Sequence, residues 1–231
     1  PEEYSISELQ KGTDYISQLG ISRNSDNTFY FDTRVNYDRR FGQHAFTGML
    51  MYMMREYRNE VLPNRNQGFS GRLTYDYDSR YLAEFNFGYN GTERLKQHRF
   101  EFFPALSIGW VASGEKFWQP VSKYIDYFKV RSSYGLVGSD ETGSLAGAAH
   151  FLYLNTVNMY GGMKFSSGYQ ANLTMNGPVI TQYAVQDPHW ERAKEFDLGI
   201  DMRILNQINI TLDYYHNKRE RILMRRASFP A

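Results

Sequence analysis

The chain has no cysteine among its 231 residues, which excludes a disulfide framework and thiolate metal sites but leaves the compartment open. It has no run of about 18 apolar residues, so it offers no transmembrane helix. A net charge of +1 gives no electrostatic reason to expect nucleic acid as a partner. Spacings that carry catalysis are missing as well. The histidines, His44, His98, His150, His189 and His216, are scattered, without the H-E-x-x-H pattern of a zinc site. Ser113 and Lys116 have the S-x-x-K spacing, but the S-D-N and K-T-G partners of a penicillin-binding enzyme are absent. That stretch reads better as a turn entering a short helix within 115–124, with Ser113 as N-cap. Residues 76–80 (DYDSR) begin like a calcium loop but lack its central Gly and terminal Glu, which makes them a hairpin turn. No enzymatic activity, cofactor or metal site is expected. No signal peptide is visible, and the chain opens at Pro1 without a Met.

What the chain does have is alternation. In 69–77 the apolar or aromatic set is Phe69, Gly71, Leu73, Tyr75 and Tyr77, and the polar set is Ser70, Arg72, Thr74 and Asp76. Residues 81–89 repeat this with Tyr81, Ala83, Phe85, Phe87 and Tyr89 against Leu82, Glu84, Asn86 and Gly88. The stretches 29–37 and 196–202 follow the same pattern. Period two means strands with one apolar face. A mean hydropathy of −0.59 with 22% charged residues would suit a water-soluble domain. A transmembrane barrel gives the same averages, because its lipid and lumen faces cancel along each strand. Aromatics at 16%, with 19 Tyr and 16 Phe, fit the girdles that barrels place at both interfaces.

The fold expected is all-β, an antiparallel transmembrane β-barrel wall of about eight strands. They are placed at 29–39, 44–55, 68–77, 81–90, 100–111, 127–136, 195–203 and 208–216. Most have the roughly 9–11 residues that a tilted strand needs to cross a bilayer. Short links at 40–43, 78–80 and 204–207 alternate with longer ones at 56–67, 91–99 and 137–194, the pattern of periplasmic turns and extracellular loops. The division is then 1–27 as a lead-in loop, 28–136 as six strands, 137–194 as a long extracellular loop, and 195–231 as two strands with a following loop. Parity constrains the hairpins. A three-residue turn at 78–80 pairs Tyr77 with Tyr81, Leu73 with Phe85 and Phe69 with Tyr89, and lays Phe87 over Gly71. In the last hairpin parity is satisfied by pairing Met202 with Ile208, Ile200 with Ile210, Leu198 with Leu212 and Phe196 with Tyr214. The first strand begins and the last ends on the long-loop side, so the chain reads as a segment of a larger barrel.

Several runs carry a family resemblance. Residues 66–94 (NQGFSGRLTYDYDSRYLAEFNFGYNGTER), 102–110 (FFPALSIGW), 129–138 (KVRSSYGLVG) and 190–201 (WERAKEFDLGID) together resemble the SusC/RagA-type TonB-dependent outer-membrane transporters, in order, over about residues 20–231. The resemblance implies a barrel of about 22 strands filled by a plug, in the outer membrane, energised through TonB. It also implies a SusD-type lipoprotein over the extracellular mouth, dimers of transporter–lipoprotein pairs, and oligosaccharide or peptide cargo. The plug, the TonB-contacting segment and the remaining strands have no counterpart here.

Two groups of residues are candidates for function. Arg72, Glu84, Lys129, Arg131, Asp197 and Asp213 are expected on the lumen face, turned toward the plug. The register above sets Asp197 opposite Asp213, a like-charge pair that Lys129 or Arg131 would neutralise and where a basic plug residue would dock. Tyr153, Tyr160, Tyr169 and Trp190, in the long loop, are expected to contact cargo or lipoprotein, or to pack the loop. Met49, Met51 and Met53 make the second strand apolar on both faces, one of them covered by plug or partner. The rival readings are a complete eight-strand barrel with a structural or adhesive role, and a soluble barrel of lipocalin type.

Overall fold

The computed structural model describes residues 25–59, 62–140, 151–171 and 173–223. The lead-in expected over 1–27 lies outside them except at its end, and so does His150. Twelve strands occur among the described residues: β1 (Asn27–Phe41), β2 (His44–Arg58), β3 (Asn64–Tyr77), β4 (Tyr81–Thr92), β5 (Phe100–Val111), β6 (Ile125–Ser139), β7 (Thr156–Asn158), β8 (Lys164–Ser167), β9 (Leu173–Asn176), β10 (Val179–Gln182), β11 (Glu191–Ile204) and β12 (Ile208–Glu220). Eight of them form one sheet in the order β1-β2-β3-β4-β5-β6-β11-β12, antiparallel throughout. These are the eight wall strands the alternation indicates. The long insert adds two small sheets of its own, β7 with β10 and β8 with β9. β1 and β12 are both edges of the large sheet. A complete eight-strand barrel would pair them, so the wall is an open piece of a larger barrel.

Register keeps parity across the sheet, apart from a one-residue shift between β6 and β11 at Arg203 and Ile204. Tyr77 pairs with Tyr81, Leu73 with Phe85, Phe69 with Tyr89 and Gly71 with Phe87, as the hairpin argument requires. A Cβ at Gly71 would run into the Phe87 ring, so the aromatic does cover the gap a strand glycine leaves. The turn is closed by the Arg80 backbone N–H donating to the Tyr77 carbonyl at 3.0 Å, with Asp78 and Ser79 at φ of 52° and 55°. Two successive residues in the left-handed region suit the right-handed twist of the strands they join.

The last hairpin corrects one expectation. Met202 pairs with Ile210, Ile200 with Leu212, Leu198 with Tyr214 and Phe196 with His216, two residues away from the expected register. Its turn has the same shape as the first, with Leu205 and Asn206 at φ of 51° and 56° and the Gln207 N–H donating to Ile204 at 3.0 Å. The tighter turn lets Ile204 pair with Ile208. A slip of two preserves parity, so alternation alone does not detect it. In consequence Asp197 faces Tyr215 and Asp213 faces Gly199, and the like-charge pair does not form.

One face of the sheet is apolar over nearly its whole width. Tyr37, Gly48, Leu73, Phe85, Leu106, Tyr134 and Phe196 follow one another across seven strands. This face lies open: Val35 is 68% exposed, Leu73 58%, Leu106 54% and Leu212 57%. Aromatic side chains are gathered toward its two ends. Near the short turns, His44 lies 4.8 Å from Tyr77 and Phe46 lies 4.9 Å from Tyr75, ring to ring. Near the long loops, Tyr52 is 4.8 Å from Phe69 and Tyr89 is 5.4 Å from Phe100. Beyond that second row the face turns ionic, with Glu56 bridged by Arg58 at 2.7 Å and Arg65 at 2.8 Å. The strands run past the stretch where they alternate, to Arg58, Thr92, Ser139 and Glu220. Backbone pairing continues there although both faces are polar.

The connection 112–124 seals the short-turn side. Ser113 does not cap a helix. It lies inside a 3-10 turn (Ala112–Gly114), and neither short helix there has a side-chain cap. What holds the connection is Glu115, which accepts from Tyr81 Oη at 2.7 Å and Arg80 Nη1 at 3.0 Å. The Tyr81 hydroxyl and, beside it, the Arg80 guanidinium hold the Glu115 carboxyl below the usual carboxylate range. This contact is therefore intact above the ordinary carboxylate pKa and weakens as acid protonates Glu115. Because the chain has no cysteine, paired substitutions report register cleanly. Ile200→Cys with Leu212→Cys is expected to form a disulfide on mild oxidation, since directly opposed Cα atoms are about 4.5–5.5 Å apart. Ile200→Cys with Ile210→Cys, a diagonal pair about 7–8 Å apart, is expected to stay reduced on the same non-reducing gel.

Candidate functional site on the polar face

The opposite face carries the charge. Register puts Arg72, Glu84, Lys129, Arg131, Asp197 and Asp213 on it together, but in two groups. On β3 and β4, Arg72 Nε donates to Asn86 Oδ1 at 2.9 Å and lies 3.5 Å from Glu84. Asn86 Nδ2 in turn donates to Glu84 Oε1 at 2.6 Å. The second group spans β6, β11 and β12. Between the groups is a hollow of about 380 Å³ whose lining includes Asp76, Glu84, Ser107, Lys129 and Arg131.

Arg131 is the centre of the second group. Its Nη1 donates to Asp197 Oδ1 at 3.2 Å, its Nε to Asp201 Oδ2 at 3.2 Å, and its Nη2 to Asp213 Oδ1 at 2.5 Å. Thr211 Oγ1 donates to the other oxygen of Asp201 at 3.1 Å. The guanidinium reaches β12 by lying across β11 at Gly199, the residue directly opposite Arg131 on one side and Asp213 on the other. A Cβ there would sit 2.6 Å from Arg131 Cζ and 2.6 Å from Asp213 Oδ1. The run Asp197-Leu-Gly-Ile-Asp201 is thus a cradle: alternate residues supply two carboxylates with a gap between them. Of the two cations expected to neutralise the aspartates, Arg131 does so; Lys129 is opposite Asp201 in register. Three carboxylates face one guanidinium, so negative charge is in local excess. Arg131 is 35% exposed and Asp213 39%, which leaves the group open to a further cation. Gly199 was not among the expected site residues, whereas Asp201 falls on the polar face by the parity of its strand; the signal for both is a glycine flanked by aspartates at that parity.

Met49, Met51 and Met53 also belong to this face, opposite Asn36, Arg34 and Asp32. They are half-buried and form an apolar strip beside a charged wall.

The long-loop aromatics divide. Tyr160 and Tyr169 are 78% and 85% exposed, and Tyr183, 74% exposed, joins them. Tyr153 is half-buried beside Phe151, 5.9 Å ring to ring. Trp190 does not belong with them. It is 5% exposed, packed with Leu95 and edge-on to Phe103 at 5.4 Å, so it anchors loops and has no surface to offer cargo or lipoprotein.

Removing Arg131 leaves the carboxylates facing one another. Arg131→Met is expected to lower the unfolding free energy by about 1–2 kcal/mol, discounted for partial exposure. Adding Asp213→Asn should recover part of that loss. A double-mutant cycle by denaturant unfolding measures the coupling. Gly199→Ala is expected to release Arg131 from Asp213 at a smaller cost, because the guanidinium can swing aside.

No family model matches the chain. A TonB-dependent receptor of Formosa agariphila is 31% identical over 160 residues, 68% of this chain and 14% of that receptor. The TonB-dependent receptor SusC of Bacteroides thetaiotaomicron is 27% identical over 175 residues, 74% of this chain and 16% of SusC. The chain thus spans about a seventh of the length of the curated relatives it matches. Among solved structures, the RagAB peptide transporter superposes with a TM-score of 0.67 at 16% identity, over 86% of this chain and 24% of the matched one. RagAB in its closed-closed state gives 0.65 at 15% identity over 84% and 24%. These likenesses to solved structures concern the fold, and the sequence relatives concern the family. With the open eight-strand wall they identify the chain as a stretch of the barrel of a SusC/RagA-type TonB-dependent receptor.

Proposed function

We propose that this chain forms part of the wall of an outer-membrane nutrient importer energised through TonB. The observation that carries the proposal is the two-faced sheet. One face is continuous, apolar and exposed, ringed by aromatics at two levels; the other carries charged and amide side chains in hydrogen-bonded groups. An open apolar surface of this breadth is far larger than the patches water-soluble monomers leave uncovered, and hydrocarbon is the medium that suits it. From His44 to Met54 on the apolar face, about ten residues at 3.3 Å each and a tilt near 40°, the band is about 25 Å tall, the height of the lipid-facing zone of such barrels.

The polar face then lines the lumen. Its mixed signs suit hydrogen bonding to a folded plug better than a single-sign ion filter. Arg72, Glu84, Lys129, Arg131, Asp197 and Asp213 are the wall residues assigned to that contact, and the excess carboxylate around Arg131 is where a basic plug residue docks. The strip of Met49, Met51 and Met53 gives the plug an apolar seat. On the long-loop side, Tyr160 and Tyr169, with Tyr153 beneath them, meet cargo or a SusD-type lipoprotein. A peptide or an oligosaccharide suits those rings equally. The wall strands, extended beyond their alternating stretch, would stand clear of the bilayer on that side and carry the insert outward. The role is transport without chemistry on the cargo.

Two measurements test this. Leu73→Arg, at mid-band on the apolar face, is expected to cost about 2–4 kcal/mol of stability in phospholipid vesicles, whereas Thr74→Arg on the other face should cost far less. Urea titration of the lipid-folded receptor reads both, and equal costs would remove the bilayer reading. Replacing Asp197 and Asp213 together by Asn is expected to loosen the plug, read as raised susceptibility to large antibiotics and reduced uptake. Unchanged uptake and an unchanged permeability barrier would reject the docking role.

A further inference from the structure

The long-loop rim holds a cluster that the wall does not use. Residues 93–99 join β4 to β5, and residues 183–190 lead into β11. Trp190 ties the two stretches together, its Nε1 lying 3.2 Å from both the His98 and the Arg99 carbonyl oxygens. Being buried, it fixes the backbone on which its neighbour His189 and the opposite His98 stand. The two imidazoles stack with centroids 4.3 Å apart at 21°. The Asp187 carboxylate reaches both at their Nε2 edges, Oδ1 at 3.5 Å from His98 Nε2 and Oδ2 at 3.7 Å from His189 Nε2. One ligand atom from each residue lies within 4.8 Å of the other two.

Three features point beyond a chance contact. First, separations of 3.5 and 3.7 Å are too long for good N–H···O hydrogen bonds. Each, to its own carboxylate oxygen, is near the roughly 3.3 Å edge between two ligands that each sit about 2.0–2.1 Å from a tetrahedral metal. Second, His189 Nδ1 lies 2.7 Å from the Asp187 carbonyl oxygen. A carbonyl only accepts, so Nδ1 carries a proton and donates it there, which leaves Nε2 as the nitrogen turned toward the Asp187 carboxylate and the one a metal would take. Third, His98 and Asp187 both stand at left-handed turn positions, at φ of 53° and 55°, a region where His and Asp are found more often than other non-glycine residues, and the two turns bring their side chains to the same place on the rim.

We propose that His98, Asp187 and His189 form a binding site for a divalent transition metal, with Zn²⁺ the best match to two imidazoles and one carboxylate. Calcium and magnesium, which take oxygen ligands, do not fit it. The metal would clip the 93–99 turn to the 183–190 segment, closing a loop that spans the long insert. Asp187 and His189 also line a cleft of about 300 Å³ with Leu152, Val185 and Arg221, so the fourth coordination position opens to water or to a donor from outside. The site is independent of whether the barrel transports anything.

The full-length protein that carries this chain, purified in detergent and stripped with a chelator, supplies the test. Isothermal titration with ZnCl₂ is expected to give one equivalent bound with a Kd in the micromolar range or tighter. Co²⁺ in its place should give visible d–d bands that Zn²⁺ abolishes and Ca²⁺ does not. His98→Ala, Asp187→Asn and His189→Ala should each weaken binding at least 30-fold. These side chains are 52%, 55% and 30% exposed, so the barrel should remain folded, as heat-modifiable gel mobility will report. Anomalous scattering at the zinc edge from crystals of the unsubstituted protein gives a reading free of any variant, with a peak expected among the three side chains. Binding that the three substitutions leave unchanged, no binding below millimolar Zn²⁺, or an anomalous peak elsewhere would each overturn the proposal.

Discussion

Everything in this structure hangs on one constraint: an antiparallel ladder in which every strand keeps side-chain parity with its neighbours. Backbone hydrogen bonds satisfy the main chain strand by strand, and they do so whatever the side chains are. Because parity is conserved through seven consecutive pairings, apart from one shift at the short-turn end of β11, the two faces stay separate. One becomes a continuous apolar surface and the other a continuous polar one. A single odd slip would carry an entire strand's apolar set to the wrong side, which is why the turns are tight and stereotyped. Two of them use the same pair of left-handed residues, Asp78–Ser79 and Leu205–Asn206, with no glycine in either.

Such a sheet has almost no interior. The buried apolar residues among those described are Leu95, Phe103, Ala112, Leu152 and Trp190, and most of them sit at the rims. Stability must come from the ladder, from cross-strand pairs on each face, and from what each face meets. Polar groups take over the organising role that a core has elsewhere. Arg131 links three strands through Asp197, Asp201 and Asp213, and it can do so only because Gly199 leaves the path open. Glu115 does comparable work at the short-turn rim, gathering Tyr81 and Arg80 onto the connection between β5 and β6.

The alternation that marks the strands turns out to report the medium more than the backbone. Within the band between the aromatic rows the two faces meet different surroundings, so the sequence alternates and strands are easy to see. Beyond it both faces are polar, as at Glu56, Arg58 and Arg65 or at Lys194, Lys218 and Glu220. Pairing continues there without a periodic signal, and strand ends read from the sequence fall short for that reason. The same logic explains Trp190. A tryptophan in a long loop looks like a surface anchor, but burial depends on which other loops close over it, and Leu95 and Phe103 come from a distant part of the chain.

The sequence by itself determined the eight wall strands, the parity of each face, the odd turn at 78–80, and the grouping of charge on one side, because these follow from local periodicity and turn length. It also carried the family resemblance, in runs such as 190–201. It did not determine the register of the last hairpin, since a shift of two leaves parity untouched and only the turn geometry chooses between them. Nor did it bring Arg131 onto three aspartates, or set His98 beside Asp187 and His189. Those contacts join residues dozens of positions apart. Only the folded sheet, by fixing which strands are neighbours and how far each is advanced against the next, decides who meets whom.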